Sequence, residues 1–320
     1  MQDPSAPIRG HIRSAGFRRV SFGLFNPSQP AESPRRRWLR DLEAWRLVLP
    51  DDAVFTHLTA AVLAGWWTPD NLRWAPAFAA IGPHARGPRR SGLVVSRMPL
   101  AEQHWSVGGL PLAAPEEVLL RCARDLGLLD LVPLVDSALR AEHVTRSVLR
   151  EICLTSRPGC RPLRQAIDLA DAKSESAWET KLRIFHVCIG VQVEPQFVVR
   201  DEEGRELARA DLLVLGTNSI HEYDGAHHRD RAGQARDLRR ERRLAGTPYV
   251  RRAFTADELI NHPAVVAAEI DRALGRRTSA AQLDRWRRMI ASSSHSTEGR
   301  HRLLSRWVRE MGVNDWSQTA

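Results

Sequence analysis

The sequence predicts an α/β protein in two folded parts. A mostly helical α+β region comes first, and an α-β-β-β-α-β-α sandwich around a small mixed sheet follows. Three observations lead there. Apolar residues recur with helical spacing over 114–172 and again over 174–188, whereas 191–223 alternates as strands do. Two turn segments, Asp201-Glu-Glu-Gly204 and Gly216-Thr-Asn-Ser219, cut that region into three strands. A basic helical stretch, one more strand and a capping-box helix start at Thr255 complete the order. A length of 320 residues leaves room for about two domains.

Taken in order, residues 1–36 are rich in Pro, Ser and Arg and read as a poorly ordered tail with at most one strand, over 18–25. The first domain is placed at 37–160. Helices are expected over 38–49 and 56–66, with Asp51 or Thr56 capping the second. Residues 67–91 contain prolines and a basic loop, Arg86 to Arg90. Strands are expected over 92–97 and 104–112. Ala114-Pro-Glu-Glu is a helix start, with proline in the first turn and acids complementing the dipole. After a break at Gly127 a second helix is expected over 128–139, with Pro133 near its start, and further helices after Thr145 and over 161–172. The second domain is placed at 173–275. Its first helix is capped by Ser174 or Ser176, carries Trp178, Leu182, Phe185 and Ile189 at 3–4 spacing, and stops at Gly190. Strands over 191–200, 206–215, 220–223 and 248–254 follow, with a basic helix over 229–244 before the last. Residues 276–320 read as a basic helical extension with a mobile joint at 292–297.

The formal net charge is +9, and Lys173 and Lys181 are the only lysines, so every other basic residue is arginine. A GC-rich genome accounts for the arginine skew; the basic excess itself favours a polyanionic partner. No apolar run is long enough to span a membrane, and the first residues lack the pattern of an export signal. Cys122, Cys153, Cys160 and Cys188 show no zinc-ligand spacing, and reduced thiols in a cytoplasmic protein are expected. No P-loop, GxGxxG or GxSxG element is present, so no nucleotide cofactor is expected.

Chemistry concentrates in 209–230. Asp211 opens an apolar strand, a turn follows, and the next strand ends in Glu222 and Asp224 before Gly225 and the pair His227, His228. Antiparallel pairing of these strands brings the carboxylates and imidazoles to one end of the sheet. That composition suits a hard divalent cation with a proton-transfer group beside it. Alternation puts Glu222 and Asp224 on one strand face and Tyr223 on the other. Glu179 can be delivered from the preceding helix. The alternatives are an ion pair of Asp211 with Arg209 or another arginine, a Glu179–Arg183 pair at i+4, and solvated histidines. Arg229, Arg231, Arg236, Arg239, Arg240, Arg242 and Arg243 form a stripe suited to phosphate-backbone contacts, or a solvated helix face.

These residues resemble a known family. Ser176-Ala-Trp-Glu179, Gly190, Glu194-Pro-Gln196, Arg209-Ala-Asp211, Glu222-Tyr-Asp-Gly225, His228, Asp237-Leu-Arg-Arg240 and 251–259 resemble a domain group related to very-short-patch-repair endonucleases, within the PD-(D/E)XK nuclease superfamily. Upstream, Gly16-Phe-Arg-Arg-Val20, Gly23-Leu-Phe25, His57-Leu-Thr-Ala-Ala61 with Gly65, and Gly109-Leu-Pro-Leu-Ala113 resemble actinobacterial AbiEi-type antitoxin-like proteins. The resemblance implies a restriction-endonuclease-like sandwich. It implies Glu179, Asp211 and Glu222 as acids for Mg²⁺ or Mn²⁺, and His228 or His227 for proton transfer. It also implies DNA as substrate and a toxin as a further partner. Where the superfamily carries a lysine two residues after its acid, this chain has Asp224; the repair-endonuclease branch uses histidine instead. The expected activity is a metal-dependent DNA endonuclease or nickase in defence or repair, and the alternative is a DNA-binding antitoxin-type regulator without catalysis.

Overall fold

The computed structural model describes residues 6–12, 16–29, 31–72, 75–100, 105–225 and 242–313. The fold is mixed α/β, as the sequence predicts, and separates into two compact units. One comprises 1–66, 70–125 and 301–320; the other comprises 67–69 and 126–300.

In the first unit, β1 (Ile8–Arg9), β2 (Phe17–Ser21) and β3 (Leu24–Pro27) form a three-stranded sheet in the order β1-β3-β2. The single strand expected over 18–25 is therefore a hairpin. Phe22-Gly23 supplies its turn, with Gly23 at φ +63°, a left-handed conformation that glycine adopts without steric cost. Helix α1 (Pro34–Arg46) follows, capped by the Ser33 hydroxyl. A second sheet has the order β6-β5-β4-β8-β7, built from β4 (Val54–Phe55), β5 (Ala77–Ile81), β6 (Leu93–Arg97), β7 (Trp105–Val107) and β8 (Leu110–Leu112). Strands β4 and β5 lie in stretches without strand alternation. Every residue of β5 is buried, and a strand buried on both faces shows no alternation to read. Helices α2 (His57–Leu63) and α3 (Pro115–Ala123) complete this part.

In the second unit, α4 (Leu128–Arg140) begins after Gly127, as expected, and carries Pro133 within it. Helices α5 (Arg146–Ile152) and α6 (Cys160–Leu169) follow, and the Thr145 hydroxyl caps α5 by accepting from the Val148 amide. Helix α7 (Ala177–Cys188) packs on a four-stranded mixed sheet. The sheet has the order β12-β11-β10-β9, from β9 (Val193–Arg200), β10 (Glu206–Val214), β11 (Ser219–Tyr223) and β12 (Val250–Phe254). The first three form an antiparallel meander, and β12 runs parallel to β11. Helices α8 (Ala256–Asn261), α9 (Pro263–Leu274) and α10 (Ala280–Ala291) follow, with full capping boxes at Thr255 and Ser279. A last helix, Thr297–Met311, follows; from residue 301 on it belongs to the first unit.

Two buried carboxylates tie the second unit together. Asp136 on α4 accepts from the Thr180 hydroxyl (2.7 Å), the Arg183 guanidinium (2.8 Å) and the Asp171 amide (2.7 Å). Asp130 accepts from the amide and hydroxyl of Ser294, at 2.7 and 2.8 Å. The expectation of a mobile joint at 292–297 is thereby corrected: Ser293 and Ser294 are fully buried, and their hydroxyls bond inward. All four cysteines are buried free thiols. Among the described residues, no helix is long and apolar enough to cross a membrane.

Candidate functional site

The antiparallel pairing of the two chemistry-bearing strands is present: Leu212 registers with His221 and Leu213 with Ile220. Beyond His221 the β10–β11 ladder stops. The next outward-running amide of β11, that of Tyr223, donates instead to Asp211 Oδ2 at 2.8 Å. The carboxylate thus sits between two strands that part, replacing a ladder bond. A strand pair that opens around a half-buried carboxylate exposes oxygen donors at a sheet end, which is a geometry for binding a cation or a polar ligand.

The faces of β11 divide as alternation requires. His221 and Tyr223 point toward α7: His221 Nδ1 lies 2.7 Å from His186 Nε2, and the Tyr223 ring stacks on Trp178 with centroids 5.3 Å apart. Glu222 takes the other face. It is buried and meets the Arg251 Nε of β12 at 2.6 Å. Asp224, just past the strand end, is exposed, and its amide donates to Phe254 O.

Glu179 reaches the sheet through an intermediary. Its amide is capped by Ser176, and its Oε2 accepts from the Glu175 amide (2.7 Å) and from Gln196 Nε2 (2.9 Å). Burial pushes its carboxyl above the usual carboxylate range, against these donors, which favour the charged form. Gln196 lies across from Asp211, between the registered pairs Ala210–Phe197 and Leu212–Pro195, and has φ +55°. A left-handed non-glycine residue inside a strand is strained, and such strain concentrates at functional sites. The i+4 pair of Glu179 with Arg183 is not formed. Arg183 turns to Asp136 and to Leu169 O instead.

Two histidines that sequence reasoning passed over lie directly beneath the site. His186 Nδ1 faces Leu182 O at 2.8 Å, so it carries the proton and Nε2 accepts from His221. Burial pushes His186 down to about 4 and His221 to about 2, the latter helped by His186 and Arg252. Both rings are neutral and pack as polar core. Lys181, one turn along α7, lies over the Trp178 ring (4.2 Å) and 3.0 Å from His295 Nε2. Burial, Lys181 and Arg300 push His295 down to about 3. The signal for the His186–His221 pair was available: His186 falls on the buried stripe of α7, and His221 alternates with Glu222. The signal for Gln196 and Arg251 was not, because it depends on strand register.

The donors are of the right kind for Mg²⁺ or Mn²⁺, since carboxylate oxygens suit hard cations. Yet Glu222 is engaged by arginine, Asp211 by a backbone amide and Glu179 by Gln196. Among the described residues, no group of three or more His, Cys, Asp or Glu side chains stands close enough together to hold a metal ion. His227, His228, Arg229, Arg231, Arg236, Arg239 and Arg240 lie outside the described residues. Arg242 and Arg243 lie within them and are exposed on the end of a helical segment.

No family model matches the sequence, and no solved structure matches it. Two relatives from Mycobacterium tuberculosis are similar to it: uncharacterized protein MT2308 of strain CDC 1551 / Oshkosh and uncharacterized protein Rv2248 of strain ATCC 25618 / H37Rv. Each is 26% identical over 273 residues, covering 84% of this chain and 96% of the relative. The similarity therefore spans both compact units, and the functional reading rests on motif and geometry.

Proposed function

We propose that this protein is a metal-dependent DNA endonuclease or nickase acting in defence or repair. The observation that carries the reading is the parted strand pair with Asp211 between β10 and β11 and Glu222 one residue from the amide that Asp211 accepts. In this reading Asp211 and Glu222 hold a Mg²⁺ or Mn²⁺ ion, and Glu179 supports it through water. Such an ion, when bound, stabilises charge on a phosphoryl oxygen and lowers the pKa of a water molecule. The chain's own part is to orient and to transfer protons. Gln196 fixes the Glu179 carboxylate, the Tyr223 amide fixes Asp211, and His228 or His227 accepts the proton of the attacking water. Asp224 stands at the position of the superfamily lysine and supplies a further acid at the mouth. Arg229–Arg243 grip the DNA backbone, giving affinity without sequence choice.

A second reading has its own observation. Glu222 is neutralised by Arg251, and this closed arrangement favours a nuclease-like scaffold that binds DNA without cutting, as an antitoxin-type regulator with a toxin partner would. Supercoiled plasmid and single-stranded DNA, incubated with Mg²⁺ or Mn²⁺, separate the two. Cleavage by the wild type, abolished in Asp211→Ala and Glu222→Ala, supports the nuclease. Retarded DNA migration with no cleavage supports the regulator.

A further inference from the structure

We propose that Arg251 is a latch on this site: it holds Glu222 while no cation is bound, and turns to a DNA phosphate when the site loads. The proposal rests on the nuclease reading above. Its first support is electrostatic. Glu222 is 3% exposed, and a buried carboxylate needs a compensating charge. The Arg251 guanidinium supplies it at 2.6 Å. A divalent cation at the same carboxylate would place three positive charges around one negative at contact distance. Arginine and metal therefore compete for Glu222.

The second support is that Arg251 has somewhere to go. Its side chain is 26% exposed and lines a cleft of about 290 Å³ together with Leu244, Ala245, Tyr249 and Ala253. Its neighbour on β12 shows the contrast: Arg252, on the opposite strand face, is committed to Glu269 of α9. Register fixes the geometry. Arg251 pairs with Ile220 and Ala253 with Glu222 in the parallel ladder, so Arg251 meets Glu222 from one step along the strand, across the cleft wall. A guanidinium released there presents a planar fork suited to phosphate oxygens, which a lysine would not reproduce.

The test is Mn²⁺ affinity of the full chain, measured by calorimetry with wild type and Arg251→Gln, each with and without a short phosphorothioate duplex that cannot be cut. Without DNA, Arg251→Gln is expected to bind Mn²⁺ about tenfold more tightly than wild type, within the usual range for coupled sites. In the wild type the duplex should tighten Mn²⁺ by a similar factor, and in the variant this linkage should vanish. Thermal melting checks that the variant folds; if it does not, the wild-type linkage alone decides. Mn²⁺ binding that is unaffected by both the duplex and the substitution overturns the latch and leaves the nuclease reading intact. No Mn²⁺ binding by either protein overturns both.

Discussion

Two carboxylate–arginine pairs of the second unit, Asp136–Arg183 and Glu222–Arg251, differ in a way that separates scaffold from site. Asp136 is completely buried, and Arg183 beside it is 8% exposed. Three donors, two from α7 and one from the segment before it, engage both of its oxygens. Glu222 is almost as deeply buried, but its arginine is 26% exposed and looks onto a cleft. The first pair is enclosed between α4 and α7. The second stands where strands part and can exchange its partner. The same two residue types thus serve as a clamp in one place and as a candidate ligand set in the other. What distinguishes them is access, not charge.

Breaking the enclosed pair should produce the largest effect. Asp136→Ala leaves Arg183 charged and buried, and is expected to cost about 3–5 kcal/mol in urea unfolding. Burial already holds the Asp136 carboxyl up at about 6 despite Arg183, so the pair is costly to keep and more costly to break.

Acid should act next, through the neutral histidines. His186, His221 and His295 have folded-state values pushed to about 4, 2 and 3. The unfolded chain takes up their protons first, near pH 6.5, so stability falls as pH drops below that point. Each contributes about 1.4 kcal/mol per pH unit until its folded value is reached. Asp136 works in the opposite direction: its raised value means that stability is regained as pH falls through about 6. The net loss between pH 6.5 and 5 should be about 3–5 kcal/mol. Urea midpoints across that range measure it, and His186→Phe should flatten the slope by one proton. An unchanged midpoint across the range would rule out neutral buried histidines.

Opening the accessible pair should cost less. Arg251→Gln keeps a donor near Glu222 and exposes the cleft to water, and about 1–2 kcal/mol is expected. A loss as large as that of Asp136→Ala would make Arg251 another clamp and erase the contrast. The smallest effect should come from Gln196→Gly. Relief of the left-handed backbone, worth about 1 kcal/mol, offsets the lost bond to Glu179, leaving stability nearly unchanged.

The sequence carried part of this. The turn at Gly216-Thr-Asn-Ser219 and the flanking alternation marked β10, β11 and the positions of Asp211 and Glu222, and the capping signals of Ser176 and Thr255 proved to be real caps. Other features depend on what lies across the fold. Ser292–Ser296 looks like a loose linker by composition, yet Ser294 bonds Asp130, 164 residues away in sequence. Gln196 and Arg251 gain meaning only from the strand register that sets them opposite Asp211 and beside Glu222. The two-residue strand β4 and the fully buried β5 offer no period to detect.

The central claim is that the parted strands are a working site and the Asp136 cluster is scaffold. Asp211→Asn tests it most directly, because asparagine retains an oxygen to accept from the Tyr223 amide. Plasmid cleavage with Mg²⁺ or Mn²⁺ is predicted to disappear while the melting temperature stays within about 2–4 °C of wild type, roughly 1 kcal/mol. Cleavage that survives this substitution would contradict the account.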